Sequence, residues 1–577
     1  MINNAATALK LTLKDVKIDV SDTGDQYDWD QKGKAALSVQ GKGNVEIELD
    51  GDNELKSGTQ SAGLEKNSTG KLTLKDDNNE AGSLTATGGF NSAGIGGGYL
   101  GDGKNITITG GTVTATGGSS GAGIGGGREG KGENITITGG TVNATGNEDG
   151  AGIGGGSSGS GENITINGGE VTASGGDNWD DCGAGIGGGN GGVGKNITIT
   201  GGTVNATGSY GGGAAGIGGA FANGENITIT GGTVNAAGSY FDHGMGAGIG
   251  GGGNSSGNNI TITGGTVNVT GGYGGGAGIG GGAEGGGGNN ITIKGGTVTA
   301  TGGGYRGNSG AGIGGGSSGS GENITINDGK VTATGGSYAA GIGGGENGNG
   351  EDITINGGKV NASGAYGGAG IGGGVNGIGS KVTVSGAAQV TATATGSGPD
   401  WSGVGTGATI GNGGSKTPDG PVDGKEIQAD ISHLTTGYIH HIIYNPDLDL
   451  DGKPDGILKE WWEFALPKPI PDGESLDLHV ETLKGAPLLF NTRQQGSTLR
   501  VTTDNLSARL HGTRQALETL QEQGVEQIQF VTTLKTTTLS VEDLLTEGGS
   551  WFALEHDGLA SRRLSAAQAE SLKCQMR

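Results

Sequence analysis

The chain has 577 residues, of which 141 are glycine and only 9 proline. About one residue in four is glycine, but there is no Gly-X-Y period, which excludes collagen, and 4% aromatic residues cannot fill an ordinary globular core over this length. A net charge of −24 argues against nucleic acid and anionic membranes as partners, and no apolar run reaches the roughly 20 residues that cross a bilayer.

The first residues, MINNAATALKLTLKDV, have neither the basic region nor the apolar core of a secretion signal, so the chain reads as a piece of a longer protein. Within residues 1–98, LKLTLKDVKIDV, AALSVQ, NVEIELDG and GKLTLKDD alternate apolar and polar like strands. They are expected to form an irregular N-terminal cap on the repeats that begin at residue 99.

From residue 99 to 412 one pattern recurs: NITITGGTVTATGG, a variable stretch, AGIGGG, and a second variable stretch. The copies open at Ile106, Ile135, Ile164, Ile197, Ile227, Ile260, Ile291, Ile324 and Ile353, with a degenerate tenth at Val382, spaced by 29 to 33 residues. Length varies only in the two stretches outside the strands, as a solenoid demands. Ile106 and Ile108 share one side of the first strand, Gly110 and Gly111 make a corner, and Val113 and Ala115 point inward from the second strand. Ile124 offers the third face its inward side chain. The expectation is an all-β protein, a single-chain parallel β-helix of about ten full coils plus the N-terminal cap. A flat two-sheet roll is the alternative, and AGIGGG fits either strand or polyproline-II backbone.

The asparagines opening the copies (Asn105, Asn134, Asn163, Asn196, Asn226, Asn259, Asn290, Asn323) read as a ladder that stabilises a turn. Ten of the twelve aromatics between residues 81 and 415 fall in the variable turn before AGIGGG. Trp179, Tyr210, Tyr240, Tyr273, Tyr305, Tyr338, Tyr366 and Trp401, with Phe90 and Phe241, would then line one edge of the stack. Such an edge either shields the coils from water or stacks on sugar rings, whose spacing in an extended chain is close to the coil rise. The outward Thr rows are interrupted by Asn, Lys, Glu and Gln, which suits ice poorly. The almost side-chain-free AGIGGG face leaves room for self-association.

Residues 413–429, rich in Gly and Pro, read as a linker to a small α+β module at 430–577. There GYIHHIIY, SLDLHVETL, STLRVTT and EQIQFVTTL read as strands, and Thr513 to Gln523 as a helix burying Ala516, Leu517 and Leu520. Asp447, Asp449, Asp451 and Asp455 alternate around Gly452, a spacing suited to wrapping Ca²⁺, with a solvated acidic turn as the alternative. The two cysteines, Cys182 and Cys574, are not expected to pair. No paired carboxylates or metal-ligand spacing occur on the repeat strands, so no enzyme is expected.

The lead-in LKLTLKDVKIDV…NVEIELDGDNELKSG…GKLTL, together with GSLTATGG…AGIGGG, resembles the β-helical carbohydrate-binding domain family of clostridial and gut bacterial surface proteins. The NITITGGTVTATGG/AGIGGG arrays are similar to the Gly-rich repeats such proteins carry. The resemblance implies a right-handed parallel β-helix, a secreted or cell-surface location, binding of polysaccharide or host or cell-wall glycan, and Ca²⁺ sites in some members. The function expected is non-catalytic glycan binding along the aromatic edge, assisted by Ca²⁺. The alternatives are a stalk or adhesin segment that only provides length or self-assembles, and, remotely, a polysaccharide lyase.

Overall fold

The computed structural model describes the chain except residues 29, 79, 177–181, 242–243, 306, 397–402, 447–455, 465–476 and 573–577. It separates into two compact units, residues 1–430 with 437–463, and residues 431–436 with 464–577.

The first unit is the expected parallel solenoid. Each repeat turn contributes a strand such as Gly103–Ile108 (face B), a strand such as Thr112–Thr116 (face C), and an Ile-Gly pair such as Ile124–Gly125 (face A). Every face pairs in parallel and in register with the next turn: Ile106 with Ile135, Val113 with Val142, Ile124 with Ile153. Face A runs through fourteen strands, from Ile2–Asn3 to Ile410–Gly411, a stack of about 60 Å at the usual strand spacing. Register survives the length variation because insertions go into the connections, which makes repeat turns interchangeable.

Six small or branched side chains fill each turn. In the first, Ile106, Ile108, Val113, Ala115, Ala122 and Ile124 are all fully buried. The corner between faces B and C needs a left-handed residue, and Gly111, Gly140, Gly169 and Gly202 supply it with φ of 78° to 87°. The opening asparagines also take positive φ, 54° to 58°. They form a chain of hydrogen bonds in which Asn134 Nδ2 donates to Asn105 Oδ1, Asn163 to Asn134, Asn196 to Asn163, and so on to Asn290. Asparagine is the residue that tolerates this conformation and can also bond its copies above and below.

The N-terminal lead-in is built as turns of the same solenoid with bulkier filling. Val45–Lys56 is one long strand whose first half pairs with Leu9–Lys14 and whose second half pairs with Lys17–Asp19, turning the corner without a glycine pair. Leu49, Leu55, Leu72, Leu74 and Leu84 fill the interior, and Lys66 is buried among them with its ammonium on the Ser68 carbonyl at 2.6 Å.

The solenoid ends later than the composition suggests. The segment 413–429 forms a short hairpin, Ser415–Thr417 with Gly420–Val422, and then places Glu426 on the last face A strand. The Glu426 carboxylate accepts from the Thr409 and Ile410 amides. Its Gly and Pro residues therefore make turns within the solenoid's end. Tyr438–Tyr444 continues face C by pairing with Gln389–Thr395, and Ile457–Phe464 joins the same sheet.

The second unit has two four-stranded sheets, one antiparallel and one mixed. The first of its three described helices spans Arg514–Glu522, capped by Thr513 Oγ1 accepting from the Ala516 amide, and buries Ala516, Leu517 and Leu520 as the pattern predicted. Leu510, Phe530, Ile528 and Leu554 complete its core. Strands Ser507–Thr513 and Trp551–Asp557, unrecognised in the sequence, hold a buried ionic row: Arg509 binds Glu481 at 2.6 Å and Glu555 at 2.7 Å.

Candidate functional site

The variable turns before AGIGGG fold back over face A. Their backbone carbonyls accept from the residue just after the glycine triplet: Arg128 N donates to Asn91 O, Ala283 N to Met245 O, Glu346 N to Ser309 O, Val375 N to Tyr338 O. Face A is thus covered: residues 122–127 are all buried, and a β-carbon on Gly127 would lie 2.9 Å from the Asn91 carbonyl oxygen of a covering turn. At Gly125 the obstacle is the next turn of face A itself. A β-carbon on Gly125 would lie 1.9 Å from the Gly154 carbonyl oxygen.

The aromatics ride on these covering turns, but not as one uniform edge. Tyr210 is half-buried and stacks on Phe241, centroids 4.5 Å apart and planes 19° from parallel, with Tyr240 edge-on at 5.0 Å. Tyr240 is 58% exposed, Phe241 39% and Tyr273 38%. The backbone ties neighbours together, with Phe241 N donating to Tyr210 O and Tyr273 N to Ser239 O. Two consecutive turns therefore present solvent-facing aromatic rings, backed by the half-buried Tyr210 of the turn before.

Two turns farther on, the same position serves packing. Tyr338 is 7% exposed, tilted against Tyr366 at 6.4 Å, and burial pushes its phenol up to about 12. Beside it Glu346 is half-buried with Oε2 lacking a hydrogen-bond partner, and burial pushes its carboxyl up to about 7. Trp179 and Trp401 lie outside the described residues, and of Tyr305 only the backbone is described, in a small hairpin with Asn308. The sequence expected all eight to act alike. Among the five whose side chains are described, Tyr240 and Tyr273 are exposed, Tyr210 and Tyr366 half-buried and Tyr338 buried. The four aspartates Asp447, Asp449, Asp451 and Asp455 also lie outside the described residues.

Sequence reasoning overlooked a second aromatic group at the end of the solenoid. Trp462 lies flat on His440, centroids 3.7 Å apart and planes 6° from parallel, and meets Tyr438 edge-on at 5.0 Å. His440 Nε2 is 2.6 Å from Glu460 Oε1. On the opposite side of the strands Trp461 stacks on His441 at 4.5 Å. His441 is buried, with Nδ1 2.6 Å from Thr409 Oγ1 and Nε2 3.6 Å from Glu463 Oε1, and burial pushes it down to about 4. Burial also raises Glu463 and Glu426 above the usual carboxylate range. The adjacent Trp461-Trp462 pair, alternating with Lys459, Glu460 and Glu463, was the signal available in the sequence.

The outward rows of face C are mostly polar, carrying Thr, Asn, Ser, Lys and Gln in register. Asn235 Nδ2 donates to Asn205 Oδ1, and Asn268 to Asn235. Among the described residues no helix is long and apolar enough to cross a membrane.

A family model described as a beta helix repeat matches ten stretches: 80–99, 106–128, 135–157, 164–190, 197–221, 227–253, 260–283, 291–317, 324–346 and 353–375. The nine stretches from 106 onward each start within or just after the opening of a face B strand and end just past face A, and the first, 80–99, covers only the face C strand Gly82–Thr87 and the face A pair Ile95–Gly96, so the family repeat follows the structural turn. No curated protein and no solved structure matches the chain.

Proposed function

We propose, for a chain that is a β-helical repeat protein, that it binds polysaccharide through the patch of Tyr210, Tyr240, Phe241 and Tyr273 and does so without catalysis. The observation that carries this reading is the exposure of three of these rings on two consecutive turns, the Tyr240-Phe241 pair held by stacking on Tyr210 and the Tyr273 backbone by its bond to Ser239. Rigid aromatic faces at the strand spacing suit the apolar C–H faces of successive sugars, and the phenol hydroxyls suit their polar edges. A role outside the cell or at its surface accords with such a ligand. The acidic segment with Asp447, Asp449, Asp451 and Asp455 is proposed as an ancillary Ca²⁺ loop.

The test is retention on a panel of insoluble and soluble polysaccharides, with and without chelator, for the protein and for Tyr240→Ala/Tyr273→Ala. Loss of retention by about tenfold or more in the double variant is expected. Unchanged retention removes the patch as the binding site, and loss with chelator alone moves it to the acidic loop.

The second reading is a structural stalk or adhesin segment. Tyr338 favours it, because a ring 7% exposed in the covering turn acts as a lid on the coil rather than as a contact. Absence of binding to every glycan makes this the better account.

A further inference from the structure

Face C becomes locally cationic toward its end, in a chain of net charge −24. Its outward positions are read directly from the register. One row runs Thr297, Lys330, Lys359, Gln389, Tyr438 on successive strands, and the next runs Thr299, Thr332, Asn361, Thr391, His440. From Thr203 to Thr393 these outward rows contain two lysines and no acidic residue. Lys330 and Lys359 are direct neighbours across one strand spacing, both exposed, and neither has an ion-pair partner among the described residues. Asp328, at the corner before Lys330, uses one oxygen on the Gly329 amide at 2.7 Å. Like charges side by side on a sheet are unfavourable on their own, so this pair is suited to an anion that bridges them.

The row ends on the stacked aromatics. Tyr438 continues the lysine row, and Trp462 stacks on His440, the next residue of the adjacent row. With one face held by His440 and an edge by Tyr438, Trp462 is still 45% exposed. Glu460, bonded to His440, sets the imidazole that supports it. Charge and aromatic surface therefore lie in line along the solenoid axis, about 5 Å per step.

We infer that the last strands of face C form a second binding site, specific for a linear polysaccharide that carries carboxylates, such as a uronic-acid chain. One sugar ring stacks on Trp462 beside Tyr438. Carboxylates on the following units meet Lys359 and Lys330, and hydroxyls meet Gln389, Asn361 and Thr391. The strand spacing is close to the length of one sugar unit, so successive units fall on successive strands. The net negative charge of the chain does not prevent this at 0.15 M salt, where charges farther than about 8 Å are screened and the local pair dominates. The inference extends the glycan-binding reading to a different face with a different ligand charge, so each stands or falls on its own residues.

The experiment is calorimetric titration at 0.15 M salt with a linear hexagalacturonate and with an uncharged galactan oligosaccharide of the same length. The proteins are the parent, Lys330→Gln/Lys359→Gln, Trp462→Ala, and Tyr240→Ala/Tyr273→Ala. The expected result is binding of the parent to hexagalacturonate and not to the neutral oligosaccharide. The lysine double variant should lose about tenfold or more in affinity, Trp462→Ala should lose a comparable amount with unchanged circular dichroism, and the Tyr240/Tyr273 variant should bind as the parent. The lysine variant alters only exposed side chains and keeps the test valid if Trp462→Ala unfolds the end of the solenoid. Equal binding by the lysine variant, equal binding of the neutral oligosaccharide, or no binding of hexagalacturonate by the parent each overturns the inference. Loss in the Tyr240/Tyr273 variant alone would assign the acidic glycan to the loop patch instead.

Discussion

Gly218 lies beside Gly250 of the next turn so closely that a β-carbon on it would stand 1.9 Å from the Gly250 carbonyl oxygen. The same relationship recurs at Gly125 with Gly154 and at Gly154 with Gly187, each with φ near 140°. Face A is a column of peptide groups packed edge to edge, with no room at this position for a side chain between one turn and the next.

Gly218→Ala is therefore expected to disrupt the local turn, because the backbone itself must move. Gly191→Ala is the control: its φ is 75°, but nothing lies within 4 Å of the added carbon. That substitution should cost only about 1–2 kcal/mol, the left-handed penalty. Urea unfolding of the two variants separates close packing from conformational strain.

The asparagine ladder predicts a graded response. Asn226→Ala removes a donor to Asn196 and an acceptor for Asn259 and leaves a β-carbon at φ 55°. A loss of roughly 2–3 kcal/mol is expected from the hydrogen bonds and the strain together. Asn226→Gly removes the same bonds but not the backbone preference, and should lose about half as much. Equal losses in the two variants would mean that strain contributes nothing there.

Aromatic substitutions should divide by position. Tyr338→Ala empties a packed site and should cost about 3–5 kcal/mol, whereas Tyr240→Ala, with a ring 58% exposed, should stay within about 0.5 kcal/mol. Thermal unfolding of the pair checks this, and a stability loss at Tyr240 would make that ring a structural lid as well.

Glu346 gives the solenoid a pH dependence of definite sign. Its carboxyl is pushed up to about 7 by burial, so the folded chain holds a proton that the unfolded chain releases near the ordinary value of 4.5. Stability from this group is full below about pH 4.5 and is lost as pH rises through about 7. Glu346→Gln should flatten that decline and raise the unfolding midpoint at pH 8 but not at pH 4. Lys66 acts at the other end of the scale. Burial lowers its ammonium to about 8, so stability rises between about pH 8 and 10.5, and Lys66→Met should stabilise the chain at pH 7 more than at pH 11.

The repeat faces were legible because periodicity alone decides them: Ile106, Val113 and Ile124 had to point inward, and identical copies had to stack in register. The covering of face A was not, since nothing in AGIGGG says which chain segment lies against it, and the exposure of Tyr240 or Tyr338 depends on that contact. The glycine count also misled at 413–429, where Gly420 and Gly424 serve turns that close the solenoid and precede two further strands on face C. His440 and His441 looked like residues of the second module, but their surroundings come from Thr409 and from Trp461 and Trp462, distant in sequence. The site on face C was half visible: Lys330 and Lys359 hold the same outward position in successive copies, but no repeat pattern places Tyr438 on the strand beyond Gln389 or Trp462 on His440.

That register has a genetic consequence. A turn can be copied or deleted in frame, and the flanking turns will meet as their predecessors did. Removal of residues 135–163, for instance, brings Ile164 against Ile106 in the pairing that Ile135 held. The distance between the loop patch and the end of face C would be untouched, and only the stem before them would shorten. Length in this protein is a quantity that can change by whole turns while the turns on either side keep their chemistry.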